Sequence, residues 1–275
     1  MPVSERQLAE FADKHAWQIP FDTSPRHLAG PGDARHVTHD LAAVGWTRTS
    51  DPLSAELVLR SPDGRHSLQL DPQSATSAWW RLRAEPTDTE AGWYAEFGEL
   101  VPAEILAGVT DALLCPPRAE PPDPWRTLSS AGWKLDQQNG AHSPDGMCHI
   151  ELRPLGDRDT PSWHIETREH GHGHPVGPRI WHAWFDHHTP SHLVSAFVTT
   201  LTDTAPLQRG MFERTAHYSA VKEPSPLSPQ QVVDAHTARL DALRTQARAA
   251  RRRQRPATIQ PLAPPSKAAA PPVRR

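Results

Sequence analysis

Histidines alternate with acidic residues in the second half of the chain, and these side chains together can hold a metal ion or transfer a proton. Three segments place polar residues two positions apart: His149 with Glu151, His164 with Glu166, and His182 with Trp184. If the three strands are neighbours, we expect these six side chains on one exposed sheet face, about 5 Å apart across strands. A polar face that meets solvent or a partner has the same composition, and we favour that interpretation over a catalytic or metal site.

A second histidine cluster lies in a segment between two predicted strands. There His170, His172 and His174 alternate with glycine, in a loop about five residues longer than its counterpart in the first half of the chain. Imidazoles on a flexible backbone can converge on a divalent transition metal. No acid or thiolate is fixed beside them, and ordering the glycines costs entropy. We therefore favour adventitious or no metal binding by this loop.

The motifs of nucleophilic and phosphate-binding sites are missing from the sequence. It has no Gly-x-Ser-x-Gly, no Gly-x-x-x-x-Gly-Lys and no paired cysteine spacing. Of the two cysteines, Cys148 alternates with apolar residues and is interpreted as a packing residue. We therefore expect no catalytic residues and no cofactor, and an enzyme is the less favoured class.

The C-terminal region combines a predicted helix with a high positive charge. Ser228, Pro229 and Gln231 have the pattern of a helix start with a capping box. The helix carries seven arginines as possible nucleic-acid contacts: Arg239, Arg244, Arg248, Arg251, Arg252, Arg253 and Arg255. From residue 239 onward the net charge is +9, and the rest of the chain has −12. The arginines could contact phosphate, fold over the acidic body or remain solvated.

The sequence contains one internal repeat. Matching segments keep their order: residues 41–46 with 128–133, 61–64 with 143–146, and 93–97 with 181–185. The offsets are 87, 82 and 88 residues, so insertions between the two copies are small. Two homologous domains therefore explain why the tryptophans recur at regular positions. Most of these tryptophans alternate in phase with aliphatic residues, which favours core positions over a binding platform. Trp184 is the exception, since its counterpart is Glu96.

Each copy shows the same pattern of predicted elements: a short helix, alternating strands and a closing helix. Asp-Gly pairs at 63–64 and 145–146 indicate hairpins. We predict an α+β fold of two tandem homologous domains, each an antiparallel meander of about four strands packed against helices. The predicted divisions are 1–24 (N-terminal helix and lead-in), 25–115 (first domain), 116–122 (Pro-rich linker), 123–205 (second domain), 206–227 (connecting segment), 228–255 (basic helix) and 256–275 (disordered Pro/Ala-rich tail).

Several of these segments resemble the actinobacterial domain-of-unknown-function family 317. The resemblance rests on residues 28–33 (Leu-Ala-Gly-Pro-Gly-Asp), the Gly-Trp at 45–46, Ser-Pro-Asp-Gly at 61–64 and the Trp-Tyr-Ala-x-Phe segment before a helix. It covers approximately residues 25–205 over both copies, and the second copy lacks the opening motif. The resemblance implies the fold unit and its tandem arrangement, and it implies no activity.

Composition narrows the class of protein. Two cysteines in 275 residues exclude a disulfide scaffold, and the sequence shows no apolar run of membrane-spanning length. We expect a cytoplasmic protein that does not bind membranes. The favoured function is a non-catalytic tandem interaction or adaptor protein with an unknown protein partner. The alternative is a nucleic-acid-associated protein that uses the C-terminal arginines, and the third is a metal-dependent enzyme that uses the second-domain histidines.

Overall fold

Both copies of the repeat fold into a helix, five strands and a second helix. The computed structural model describes residues 3–115, 120–137, 139–155, 158–171 and 177–254. The first copy contains α2 (Arg35–Ala43), β2 (Thr47–Arg48), β3 (Leu57–Arg60), β4 (His66–Leu70), β5 (Ala78–Ala84), β6 (Trp93–Gly98) and α3 (Ala103–Leu114). The second contains α4 (Pro124–Ser130), β7 (Lys134–Leu135), β8 (Gly140–His142), β9 (Cys148–Leu155), β10 (Arg158–Arg168), β11 (Arg179–Phe185) and α5 (Ser191–Thr202).

The predicted α+β class and the tandem arrangement are confirmed. Local signals explain the elements: Asp123 accepts a hydrogen bond from the Trp125 backbone N–H (3.2 Å) and caps α4, and Pro124 fills its first position. Gly64 and Gly146 take positive φ values of 74° and 73° in the hairpin turns. Each meander has five strands rather than four, because the two-residue strands β2 and β7 add to the sheet edges.

The two meanders form one sheet of ten antiparallel strands. Its order is β2-β3-β4-β5-β6-β11-β10-β9-β8-β7, so the copies meet where β6 pairs with β11. At this joint Phe97 lies opposite Ala183, and Glu96 lies opposite Trp184. Because Glu96 and Trp184 occupy equivalent positions in the repeat, the pairing has a local twofold axis. Joining the two edge strands satisfies backbone groups that each copy alone would leave unpaired.

The helices α2, α3, α4 and α5 cover one face of this sheet with a single apolar core. Phe97, Phe185 and Phe197 form an aromatic cluster across the joint, with ring centroids 5.4 to 6.0 Å apart. α3 and α5 pack against each other at Gly108, where a Cβ would overlap the Thr200 hydroxyl. The core is therefore shared by both copies, and the opposite face carries the polar residues.

Segments outside the repeat add a second layer that contacts both copies. Ser4 and Gln7 form a capping box for α1 (Glu5–Ala16). β1 (Pro20–Ser24) pairs with β12 (Leu207–Gly210) and β13 (Val221–Pro224) in a three-stranded sheet, and a short 3-10 helix follows β1 at Arg26–Leu28. The long helix α6 (Pro229–Gln254) lies on α1 and α2.

A buried ion pair joins this layer to the first copy. The Arg209 side chain on β12 is fully buried, and its Nη1 and Nη2 donate to the Glu104 carboxylate at 2.6 and 2.9 Å. It also donates to the carbonyl oxygens of Ala29 and Gly30. The Leu-Ala-Gly-Pro-Gly-Asp segment therefore wraps around a guanidinium group.

The predicted domain boundaries remain predictions. The segment 206–227 contributes β12 and β13, and 228–255 contributes α6. The predicted linker overlaps residues 116–119, and the predicted tail at 256–275 lies outside the described residues. None of the helices within the described ranges is long and apolar enough to cross a membrane.

Candidate functional site

The side chains that point away from the helices form one polar face across both copies. Its central row crosses six adjacent strands, since each member lies opposite the next: Gln69, Arg81, Glu96, Trp184, His164 and Glu151. Beside this row, Glu166 lies opposite both His149 and His182. The structure thus brings together the six second-copy residues that the sequence placed on one face, and adds first-copy residues to them.

Glu96 lies at the centre of the polar face, on the twofold axis. Its carboxylate accepts a hydrogen bond from the Tyr94 hydroxyl at 2.8 Å, and His182 Nε2 lies 3.4 Å from it. The His182 imidazole holds the pKa of Glu96 below its usual value, against the effect of burial. Burial and the nearby carboxylate raise the pKa of Tyr94. These groups are therefore arranged to keep Glu96 ionised.

Trp184 packs between Tyr94 and His164 on the same face. Its ring centroid lies 5.6 Å from that of Tyr94 and 6.3 Å from that of His164. The Trp184 indole Nε1 and the His182 Nδ1 are buried, and neither has a hydrogen-bond partner among the described residues. Buried polar groups in native proteins are nearly always paired. These two enclosed nitrogen atoms are therefore exceptions to that rule, and neither is accessible at the surface of the face.

The carboxylates of the second copy pair with arginines. Glu166 accepts from Arg168 at 2.8 Å and lies 3.4 Å from Arg179, and Glu151 forms an ion pair with Arg153. Although burial raises the pKa of Glu166, the two arginines hold it below its usual value. Among the described residues, the histidine–carboxylate ion pair on this face is the one between His182 and Glu96, which joins the two copies.

Two histidines of the face, His164 and His149, have pKa values below their ordinary range. Burial lowers the pKa of His164, and the nearby Arg153 lowers it further. Burial and the neighbouring His142 lower the pKa of His149. Both imidazoles are therefore neutral at neutral pH, as a metal ligand or a hydrogen-bond acceptor must be.

A cavity of about 390 Å³ lies at the end of the polar face, next to the joint. The β4–β5 loop at 74–77 forms one wall, and Trp79, Arg179 and His182 contribute to the others. Arg179 Nη2 donates to the Ser77 hydroxyl at 3.1 Å, which ties the second copy to a loop of the first. Polar and aromatic groups from both copies therefore line this cavity.

Sequence reasoning missed the first-copy half of the face. By the repeat offsets, Arg81, Tyr94 and Glu96 correspond to His164, His182 and Trp184, and the sequence places them in a separate domain. The signal that could have placed them together is the matching Trp-x-Ala-x-Phe pattern of the two joint strands at 93–97 and 181–185. That pattern identifies equivalent strands, but it does not show that they pair.

The structure describes only part of the His-Gly-His-Gly-His loop. His170 is exposed, and His172 and His174 lie outside the described residues. The predicted loop metal site therefore stays a prediction.

Some of the C-terminal arginines form ion pairs with carboxylates, and others are exposed on α6. Arg239 donates to Asp40 at 2.7 Å and to both carboxylate oxygens of Asp111 at 2.8 and 2.9 Å. Arg244 pairs with Asp241 on its own helix at 2.8 Å. Arg248, Arg251 and Arg252 are exposed, and Arg251 donates to the Val44 carbonyl at 3.1 Å. The Arg253 side chain and Arg255 lie outside the described part of the chain.

A histidine cluster that the sequence did not reveal attaches α6 to the body. His236 stacks on Phe11 with ring centroids 3.9 Å apart, and its Nε2 lies 3.1 Å from His39 Nδ1. Burial lowers the pKa of His39 to about 4 and that of His236 to about 3. The neighbouring Leu240 is fully buried as well. The side of α6 that carries His236 and Leu240 therefore packs on its own chain.

The comparisons with known proteins agree with the repeat. Residues 60–119 and 142–207 match the model of the SPDY domain, a domain of unknown function also designated DUF317. The two matches cover corresponding strands and the closing helices α3 and α5. The chain matched no curated protein and no solved structure. The protein therefore carries two tandem copies of the DUF317 domain, one in each half of the ten-stranded sheet.

Proposed function

We propose that this protein is a non-catalytic interaction protein whose tandem domains together form one binding surface for a protein partner. The observation that carries the proposal is the pairing of β6 with β11, which makes the polar faces of the two copies continuous. Trp184 lies half-buried at the centre of that surface. Aromatic and arginine side chains near the centre of an interface commonly carry most of its binding energy.

The charges of the polar face support binding rather than catalysis. Arginines neutralise Glu151 and Glu166, and His182 together with Tyr94 engages Glu96. A general base needs an available lone pair near a reacting group. These carboxylates instead hold side chains in place, while Arg81, Arg83 and Trp184 remain accessible to a partner.

Affinity purification from the native cell tests this proposal. The full-length protein is compared with Trp184→Ala and, separately, Arg81→Ala, after circular dichroism has shown that each variant is folded. Trp17→Ala is the control, because Trp17 is 88% exposed and lies outside the polar face, between α1 and β1. We expect a protein partner that is lost with both face variants and retained by the control. A partner set that is the same for all four proteins would contradict the proposal.

The second candidate function is nucleic-acid binding through the exposed end of α6. Arg248 and Arg252 are four residues apart on one side of the helix and are both exposed, which favours this candidate. Each phosphate contact contributes about −0.9 to the slope of log K against log salt. Replacing both arginines by alanine should therefore make the slope for duplex DNA shallower by about 2. An unchanged slope would exclude these two arginines as phosphate contacts.

A further inference from the structure

A cluster of metal-ligating side chains lies at the edge of the second copy, at the outer end of the polar face. Asp136 follows β7, His142 lies on β8 and His149 lies on β9. One carboxylate oxygen and one ring nitrogen from each histidine lie within 4.8 Å of one another. Among the described residues, these are the three acidic, cysteine or histidine side chains that come together this closely.

The backbone places the two histidines side by side. His142 and His149 lie directly opposite each other on paired strands. Since Ala141 and Ile150 are buried in the core, both histidines point to the polar face. Their rings are stacked with centroids 4.3 Å apart and an angle of 12° between planes. Both imidazoles therefore reach the same region of space without any change in the sheet.

The third ligand is held by a tight turn. The Gly140 backbone N–H donates to the Asp136 carboxylate at 2.8 Å, and the Asp136 N–H donates to the Gly140 carbonyl at 2.9 Å. A Cβ at position 140 would overlap the Asp136 carboxylate. The absence of a side chain at Gly140 therefore makes room for the carboxylate beside the histidines.

The first copy lacks these ligands at the equivalent positions. Arg60 and Ser67 correspond to His142 and His149 at the offset of 82, and Thr49 follows β2 as Asp136 follows β7. The connection between the two short strands has four residues in the second copy, at 136–139, and eight in the first, at 49–56. The second copy thus combines a shorter turn with three ligands, on a strand frame that the copies share.

We propose that Asp136, His142 and His149 bind a divalent first-row transition metal of the zinc class, which joins the β7–β8 hairpin to β9. Two imidazoles and one carboxylate suit zinc and its neighbours, and leave at least one coordination position for water. Ligand atoms around a tetrahedral zinc ion lie about 3.3 Å apart, so the three side chains close by no more than about 1.5 Å. The site is separate from the proposed partner-binding centre at Trp184 and does not depend on it.

Titration of the untagged full-length protein with Co²⁺ tests the proposal, since bound Co²⁺ reports its ligands by visible absorption. The His170/His172/His174→Asn triple variant is included from the start, because the loop histidines can also bind metal. We expect the wild type and the triple variant each to bind one saturable equivalent of Co²⁺ per chain. Zn²⁺ should displace this Co²⁺, and Mg²⁺ should not. His142→Asn and His149→Asn should each weaken it at least about tenfold, since even outer-shell partners of a metal are worth about 10–100-fold.

Two further variants test the geometry. Asp136→Asn keeps the acceptor for the Gly140 N–H but removes the charge, and Gly140→Ala keeps all three ligands but displaces the carboxylate. Both should weaken Co²⁺ binding, and Zn²⁺ should slow amide exchange in the β7–β8 hairpin of the wild type but not of these two variants. The Arg60→Ala variant at the equivalent first-copy position should leave binding unchanged. Three results would overturn the proposal. They are Co²⁺ binding that persists in the combined His142→Asn/His149→Asn variant, Co²⁺ binding that is lost in the triple loop variant, and no Co²⁺ binding by the wild type.

Discussion

Glu96 and Trp184 lie directly opposite each other where the two copies meet, and each is the other's counterpart in the repeat. A carboxylate and an indole thus occupy the two equivalent positions on a local twofold axis. Two carboxylates there would repel across adjacent strands. The divergence of this pair avoids that repulsion where the two copies join into one sheet.

The first prediction concerns the ionisation of Glu96. In the His182→Gln variant the pKa of Glu96, measured by carboxyl carbon NMR, should rise toward 4.5. Because the pKa of Glu96 is lowered in the folded state, its contact with His182 stabilises the fold above pH 4.5. This stabilisation is lost as the pH falls through the folded-state pKa of Glu96. The cost at neutral pH should stay below about 1 kcal/mol, since the Glu96 side chain is 29% exposed. His188→Gln is the control, and an unchanged Glu96 pKa would contradict the assigned contact.

The second prediction concerns the contact between α3 and α5. Gly108→Ala should destabilise the protein by about 1–3 kcal/mol, because the new methyl group overlaps the Thr200 hydroxyl. Urea unfolding measures this change in the free energy of unfolding. In a Thr200→Ala background the same substitution should cost less, since the overlapping oxygen is gone. Equal costs in both backgrounds would show that the helices do not approach at this point.

The third prediction concerns the buried pair of Glu104 and Arg209. Glu104→Gln should destabilise the fold by about 3–5 kcal/mol, because it leaves a fully buried guanidinium without its carboxylate. Chemical denaturation at neutral pH provides the measurement. As a control, Glu10→Gln removes an exposed i,i+4 pair with Arg6 and should cost less than about 0.5 kcal/mol. Similar costs for both changes would contradict the burial of Arg209.

The fourth prediction is that acid loosens α6 from the body. His236 faces ionisable groups from α1, α2 and the loop between them: His15, Asp33, Arg35, His36 and His39. The pKa values of His36, His39 and His236 are lowered, the last two to about 4 and about 3. Unfolded or detached histidines take up protons first, near 6.5, so the docked state loses stability as pH falls from 6.5 toward 4.

Hydrogen exchange of the α6 amides at about pH 7.5 and about pH 5.5 measures this effect. After correction for intrinsic exchange, protection should fall at the lower pH in the wild type. His236→Phe keeps an aromatic ring against Phe11 and removes one titrating group, so it should reduce the loss of protection. His188→Gln should behave as wild type. A pH response that is equal in all three proteins would show that His236 does not control docking.

Local sequence signals were sufficient for the repeat and for the main elements of each copy, but not for the short edge strands β2 and β7 or for the sheet of β1, β12 and β13. Trp80 and Leu82 alternate onto the core side as a half-buried strand requires, and Asp123 with Pro124 marks the start of α4. The six polar residues of the second copy share one face for the same reason, since residues two apart on paired strands must point the same way. The chemistry of that face was not predictable. Arginines rather than histidines form the ion pairs with Glu151 and Glu166, and which of these side chains reaches a carboxylate depends on the three-dimensional arrangement of the strands.

The sequence by itself determined two homologous α+β units, their core faces and a charged C-terminal helix. Only the tertiary structure decided that β6 pairs with β11, that Arg209 enters the first copy, and that His236 packs on Phe11. The physical reason is that periodicity and capping act between residues a few positions apart. Which sheet edges join and which distant side chains meet depend instead on satisfying backbone hydrogen bonds and burying apolar area in the whole chain.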